Sequence, residues 1–148
     1  MPPRSAGILA FRKRASGAEV LLVHPGGPHW RSRDKGAWSM PKGEIGPGEE
    51  PEAAARREFA EETGWTAEGP LFALGEARQR SGKIVIGFAC EGDFDTETLR
   101  SNLFDMEWPP RSGKFRSFPE VDRAAWFTLE DAAEKIVSGQ RPLLAKIR

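Results

Sequence analysis

The segment from Glu49 to Gly64 constrains this chain more than any other. Pro51 suits the first turn of a helix, where its missing N–H costs nothing, and Glu49, Glu50 and Glu52 complement the positive end of the helix dipole. Ala53, Ala54 and Ala55 are strong helix formers, and Gly64 is a fitting C-terminal stop. The later turns carry Arg57-Glu58-Phe59-Ala60-Glu61-Glu62. Glu58 and Glu61 stand at i and i+3, and Glu58 and Glu62 at i and i+4, so one face gathers three carboxylates. Like charges so placed cost a bare helix roughly a few tenths of a kcal/mol per pair. Arg57 relieves part of that cost. A hard divalent cation would relieve the rest, because Mg²⁺ and Mn²⁺ prefer carboxylate oxygen. For three glutamates alone, a solvated acidic face is the competing reading.

The helix is embedded in strands. Gly7 to Arg12 and Glu19 to His24 read as strands around a turn at Ser16-Gly17. A polar loop opens at Pro25-Gly26-Gly27-Pro28, and the short segment Trp38-Ser39-Met40 leads into Pro41-Lys42-Gly43. After the helix, Leu71 to Arg80 and Lys83 to Glu91 read as strands joined at Ser81-Gly82. Residues 92–120, rich in Trp, Phe and Pro, read as irregular, with 101–114 as an elaborated insertion. Ala124 to Phe127 reads as a short final strand, after which Thr128 caps a helix expected to stop at Gly139. This order predicts a mixed sheet with helices packed against it.

A length of 148 residues suits one domain, 1–148. Lys+Arg and Asp+Glu are 22 each, so the chain offers nucleic acid or an anionic membrane no long-range attraction, and no stable nucleic-acid partner is expected. Any anion must be held by local groups or by a metal. The single cysteine, Cys90, rules out an internal disulfide and reads as a buried strand residue. Apolar runs such as Val20 to Val23 are too short for a bilayer, and nothing at the N-terminus reads as a signal peptide, so the expectation is no membrane association and a cytoplasmic location.

The spacing around the helix is specific. Gly43 is followed by five residues and Glu49, then seven residues and Arg57-Glu58, apolar Phe59, any residue, Glu61-Glu62, any residue, Gly64 and apolar Trp65. The segment resembles the Nudix box at every fixed position, and the strand–loop–helix order extends the resemblance over most of the chain. The resemblance implies the Nudix fold, α/β with a mixed β-sheet sandwiched between α-helices. It also implies metal-dependent hydrolysis of a phosphoanhydride in a nucleoside-diphosphate-linked small molecule, with Mg²⁺ or Mn²⁺ as cofactor. Glu58 and Glu62 are then the principal metal ligands, with Glu61 beside them and the Gly43 carbonyl as another. Gly43 would let the backbone turn sharply to aim that carbonyl. Glu49 lies within reach of Arg57 and would lock the loop onto the helix. Relatives often complete the site with a glutamate before the last strand. Glu120, six positions before Trp126, is the candidate and Glu107 its rival. Candidate catalytic groups are therefore Glu58, Glu61, Arg57 and Glu120, with the general base left open among the glutamates.

Substrate contacts are less constrained. Lys42 in Pro41-Lys42-Gly43 is either a point charge for a non-scissile phosphate or the exposed residue of a rigid turn. That approach resembles Nudix enzymes acting on dinucleoside polyphosphates and diphosphoinositol polyphosphates. Arg31, Arg33 and Lys35, with Arg12 and Lys13, could hold a phosphate chain or form a solvated loop. Trp30, Trp108 and Phe115 are loop aromatics on which a base could stack, and Arg111 and Lys114 beside Trp108 would suit a nucleotide. His24 and His29 read as structural or incidental. A dinucleoside polyphosphate such as diadenosine tetraphosphate leads as substrate. A (d)NTP of the nucleotide pool, a diphosphoinositol polyphosphate and the 5′ end of RNA follow. A non-catalytic binding module would lose box glutamates, and here all are present. A homodimer is left open.

Overall fold

The computed structural model describes residues 3–147. Strands β1 (Arg4–Arg14) and β2 (Gly17–Pro25) form a hairpin, and the short β3 (Lys42–Glu44) pairs antiparallel with the start of β1. Helix α1 (Pro51–Thr63) follows, then strands β4 (Phe72–Arg78) and β5 (Ile84–Glu91). A small hairpin, β6 (Leu103–Glu107) and β7 (Phe115–Pro119), precedes β8 (Val121–Thr128) and the helices α2 (Leu129–Lys135) and α3 (Arg141–Leu144). The main sheet runs β4-β5-β1-β2-β8, parallel between β1 and β5 and antiparallel elsewhere.

Alternation along β1 and β2 explains the sandwich. Ala6, Ile8 and Ala10 with Leu21 face one way, onto Ala54, Ala55 and Phe59 of α1. Leu9, Val20 and Leu22 face the other way, onto Ala132, Ile136, Leu143 and Leu144 in and around α2 and α3. Both faces of β1 are therefore buried, which is why its sequence is a nearly continuous apolar run. Phe59 is fully buried, and its truncation to Ala would cost about 3–5 kcal/mol. Cys90 is buried on the α1 side, as expected. Among the described residues, no helix is long and apolar enough to cross a membrane.

Two expectations need correction. Residues 92–120 are not simply irregular, because β6 and β7 pair in register, Phe104 opposite Phe118. Their alternation is masked in sequence by apolar residues on both faces: Phe104 and Phe118 meet on one, while Leu103 and Phe115 stand exposed on the other. The last helix stops at Lys135 instead of reaching Gly139, since Ile136 bridges to Trp38 and the Val137 N–H donates to the Trp38 carbonyl. A further short helix, α3, then lies beyond Gly139. The N-cap is as read from the sequence, with the Asp131 N–H donating to Thr128 Oγ1.

Candidate active site

Gly64 ends α1 in the left-handed conformation, φ 80°, and its N–H closes on the Ala60 carbonyl at 2.8 Å. At the other end, Arg57 reaches back over the loop. Its Nε and Nη2 donate to both oxygens of Glu49 at 2.8 and 2.9 Å, and Nη2 also donates to the Glu44 carbonyl at 3.0 Å. Glu49 in turn accepts from the Gly46 N–H at 2.8 Å. The fork-on-fork pair holds the Glu49 carboxyl well below its ordinary range, at about 2. It also ties residues 44–49 to the helix.

The third arm of Arg57, Nη1, donates to Glu58 at 2.8 Å and to Glu61 at 2.9 Å. Glu62 turns the other way and accepts from the Lys42 N–H at 3.3 Å. Burial pushes the Glu62 carboxyl up to about 8, with the nearby Glu58 and Glu120 charges adding to the rise and Lys42 opposing it. Glu58 is raised too, first by burial and then by Glu61 and Glu120. Burial likewise depresses the Lys42 ammonium.

Gly43 requires a correction. It lies in the extended β3, opposite Ala6, and makes no sharp turn. A Cβ there would stand 2.1 Å from the Glu58 carboxyl carbon, so glycine lets the Glu58 carboxylate lie against the backbone and a larger residue would push it aside.

Glu120 and Glu107 part company. The Glu120 carboxyl is raised by burial and by the charge of Glu61, with Lys42 opposing, which places it among the α1 glutamates. Glu107 instead accepts from the Arg111 and Gly113 N–H groups, both at 3.1 Å, and closes the β6–β7 loop.

Lys42, Glu62 and Glu120 share a cleft of 370 Å³ with Val23, Trp30, Ala37, Phe104, Val137 and Gln79 among its other walls. Of the loop aromatics, only Trp30 lines this cleft, and the Arg33 guanidinium sits 5.5 Å from the Trp30 ring centroid. Arg31 and Arg33 are exposed outside its walls. Trp108, Arg111 and Lys114 are not brought to the cleft either. Trp108 sets its edge against His29, and the backbone N–H groups of Arg111 and Lys114 serve the hairpin loop. Phe104 and Gln79 are cleft residues that the sequence did not single out, because neither belongs to a motif or a charge cluster. His24 is fully buried, with Nδ1 2.8 Å from Asp122 and Nε2 2.6 Å from the Arg33 carbonyl, a structural position.

The donor set is oxygen only: the carboxylates of Glu58, Glu61, Glu62 and Glu120 with the β3 backbone. Three of these carboxyls, Glu58, Glu62 and Glu120, already feel burial and mutual repulsion that a hard cation would relieve. Among the described residues, no three acidic, His or Cys side chains converge into a ready metal cage. Arg57 draws Glu58 and Glu61 aside while Glu62 leans to β3. The residue types fit a divalent metal.

Comparison with known proteins agrees with this arrangement. The family model of the NUDIX domain matches residues 1–147. The chain is 41% identical to an RNA pyrophosphohydrolase of Rhodospirillum rubrum, covering 99% of this chain and 90% of that protein. Among solved structures, a C. elegans Ap4A hydrolase binary complex is 26% identical with a TM-score of 0.66, covering 96% of this chain and 93% of that one. The NUDIX domain of Shewanella oneidensis NrtR, complexed with ADP ribose, shares the fold at 16% identity, with a TM-score of 0.67 and coverage of 99% and 86%. On the match across its length, and on the helix, loop and cleft just described, the chain belongs to the Nudix family and is a Nudix pyrophosphohydrolase.

Proposed function

We propose that this chain hydrolyses a phosphoanhydride bond in a nucleoside 5′-polyphosphate, with a dinucleoside polyphosphate such as diadenosine tetraphosphate as the leading substrate. The observation that carries this reading is the meeting of Lys42, Glu62 and Glu120 in one cleft that also holds an indole and an apolar wall. A polyphosphate with a base attached needs both kinds of surface. Likeness to the Ap4A hydrolase supports the choice of substrate.

Glu58, Glu61, Glu62, Glu120 and the Gly43 carbonyl would hold Mg²⁺, with Mn²⁺ as a substitute. The bound metal would neutralise diphosphate oxygens and lower the pKa of the attacking water. Arg57 keeps Glu58 and Glu61 aligned, and Glu49 keeps Arg57 in place. Lys42 offers a positive charge to a non-scissile phosphate. Glu120, beside the α1 glutamates, would take the proton of the attacking water.

The likeness to the Rhodospirillum rubrum protein favours a second reading, removal of pyrophosphate from RNA 5′ ends. A phosphate-release screen over diadenosine tetraphosphate, ATP, GTP and a 5′-triphosphorylated RNA, run with Mg²⁺ and with EDTA, tests both. The expected result is Mg²⁺-dependent turnover with the dinucleotide preferred. Full turnover in excess chelator would overturn the metal assignment, and a preference for RNA would replace the first reading with the second.

A further inference from the structure

The polar groups that line the cleft floor can be accounted for one by one. Gln140 is fully buried; its Oε1 accepts from the Met40 N–H at 3.0 Å and its Nε2 donates to Ser39 Oγ at 3.0 Å. Ser39 Oγ donates to the Met40 carbonyl at 2.7 Å. These two residues are occupied holding β2, the Trp38–Met40 segment and the start of α3 together.

Gln79 differs. Its backbone is fixed, with its N–H donating to the Lys83 carbonyl at 2.8 Å and its carbonyl accepting from Gly82 N–H at 2.9 Å. Its Cγ lies against Gly139, where an added Cβ would come within 2.8 Å. Yet no side-chain hydrogen bond is formed, and Oε1 is shielded from solvent without a partner. Among the described residues, Ser5 Oγ is the other shielded side-chain atom in that state, and Ser5 does not line the cleft. A sealed acceptor without a donor costs free energy that folding alone does not return, so such a group calls for an explanation.

We propose that Gln79 reads the base of the bound nucleotide, its Oε1 accepting a hydrogen bond from an exocyclic amino group such as that of adenine, with Trp30 as the aromatic wall. A carboxamide offers an acceptor beside a donor, the complement of an adenine edge with its amino group beside a ring nitrogen. The terminal torsion of glutamine has a broad energy profile, so turning Oε1 into the cleft needs no backbone movement. The apolar cleft walls Val23, Ala37 and Val137 would limit the water that competes for that hydrogen bond. This inference rests on the nucleotide reading of the cleft.

The test uses the full chain without metal and measures binding by calorimetry. The probes are AMP and purine riboside 5′-monophosphate, which differ only in the amino group. Wild type is expected to bind AMP about tenfold tighter, the worth of one well-made hydrogen bond. Gln79→Leu, close in volume, is expected to abolish that difference while leaving purine riboside monophosphate unchanged. The same substitution should raise Tm, because it removes an acceptor that has no partner in the free protein. A residue with a merely structural role would lower Tm instead. Equal affinities for the two probes in wild type would overturn the assignment. So would a retained tenfold preference in Gln79→Leu, or a lowered Tm, which would mean that the carboxamide is already paired. If the phosphate-release screen finds no nucleotide substrate at all, the nucleotide reading itself fails. If nucleotides are hydrolysed but the base is not distinguished, only the role of Gln79 fails.

Discussion

The α1 face and the β6–β7 hairpin border the same cleft but are built on opposite plans. On α1 nearly every charged side chain has a stated partner: Glu49 with Arg57, Arg57 with Glu58 and Glu61, and Glu62 with the β3 backbone. The hairpin presents Phe104 to Gly27 and the cleft, while Leu103 and Phe115 stand 64% and 70% exposed on its outer face. One region is over-determined by charge pairing. The other is held at its base by the Gly26–Glu120, Glu120–Asn102 and Asn102–Glu61 backbone bonds. The contrast separates a centre fixed by ion pairs from a wall whose outer face mixes exposed Leu103 and Phe115 with one cross-strand Ser117–Asp105 hydrogen bond.

The largest effects should follow from the α1 side. If the proposed metal site is right, Glu58→Gln and Glu62→Gln should each lower kcat by about 10²-fold with the fold intact by circular dichroism, because each removes a ligand charge without changing shape. Near-normal rates in both would dissolve the contrast. Gly43→Ala comes next: the added Cβ displaces the Glu58 carboxylate, and kcat should fall by about tenfold or more in the same assay.

Glu120→Gln crosses between the two regions. It should lower kcat by roughly tenfold and change KM little, since its effect falls on the chemical step. Glu107→Gln should leave kcat alone. The reverse outcome in these two variants would exchange their roles.

A pH experiment sharpens the comparison through stability. The Glu62 carboxyl titrates near 8 in the fold, against an ordinary value of 4.5. Between those values the folded chain holds a proton that the unfolded chain has released, so this group's contribution falls as pH rises and its penalty is complete above 8. Glu62→Gln should therefore flatten the decline in Tm between pH 5 and pH 8 in EDTA. An unchanged slope would show that Glu62 is already ionised. The depressed Lys42 has the opposite sign, but between its folded value and 10.5. For the same reason, metal affinity should strengthen as pH approaches 8. The smallest effects belong to the hairpin tip. Trp108→Ala, Arg111→Ala and Lys114→Ala should change KM by less than about threefold, and a larger change would bring that loop into substrate binding.

What could be read from the chain follows the same division. The helix, its cap residues and the Glu49–Arg57 distance depend on contacts within a few turns, so spacing alone reveals them. The sharp turn expected at Gly43 is absent, and what glycine does there is leave room for the Glu58 carboxylate, a contact between residues 15 positions apart. The hairpin escaped because five-residue strands with apolar residues on both faces show no clean period. Gln79 gave no local signal, since its importance lies in lacking partners among residues distant in sequence.

The parallel pairing of β1 with β5 has a consequence for how the molecule is made. Arg4 pairs with Ile84 and Phe11 with Glu91, so the central strand cannot be completed until more than half the chain is available. Until then β1 has only β2 and β3 beside it, and one edge of a strongly apolar strand is open to any other chain. Closing so long a loop is entropically slow, and α1 lies inside that loop. During synthesis α1 can seat on β1 and β2 as soon as it is made, but the β5 side of β1 stays unpaired until residue 84 and beyond, and that interval is when an open strand edge exposes this chain to aggregation.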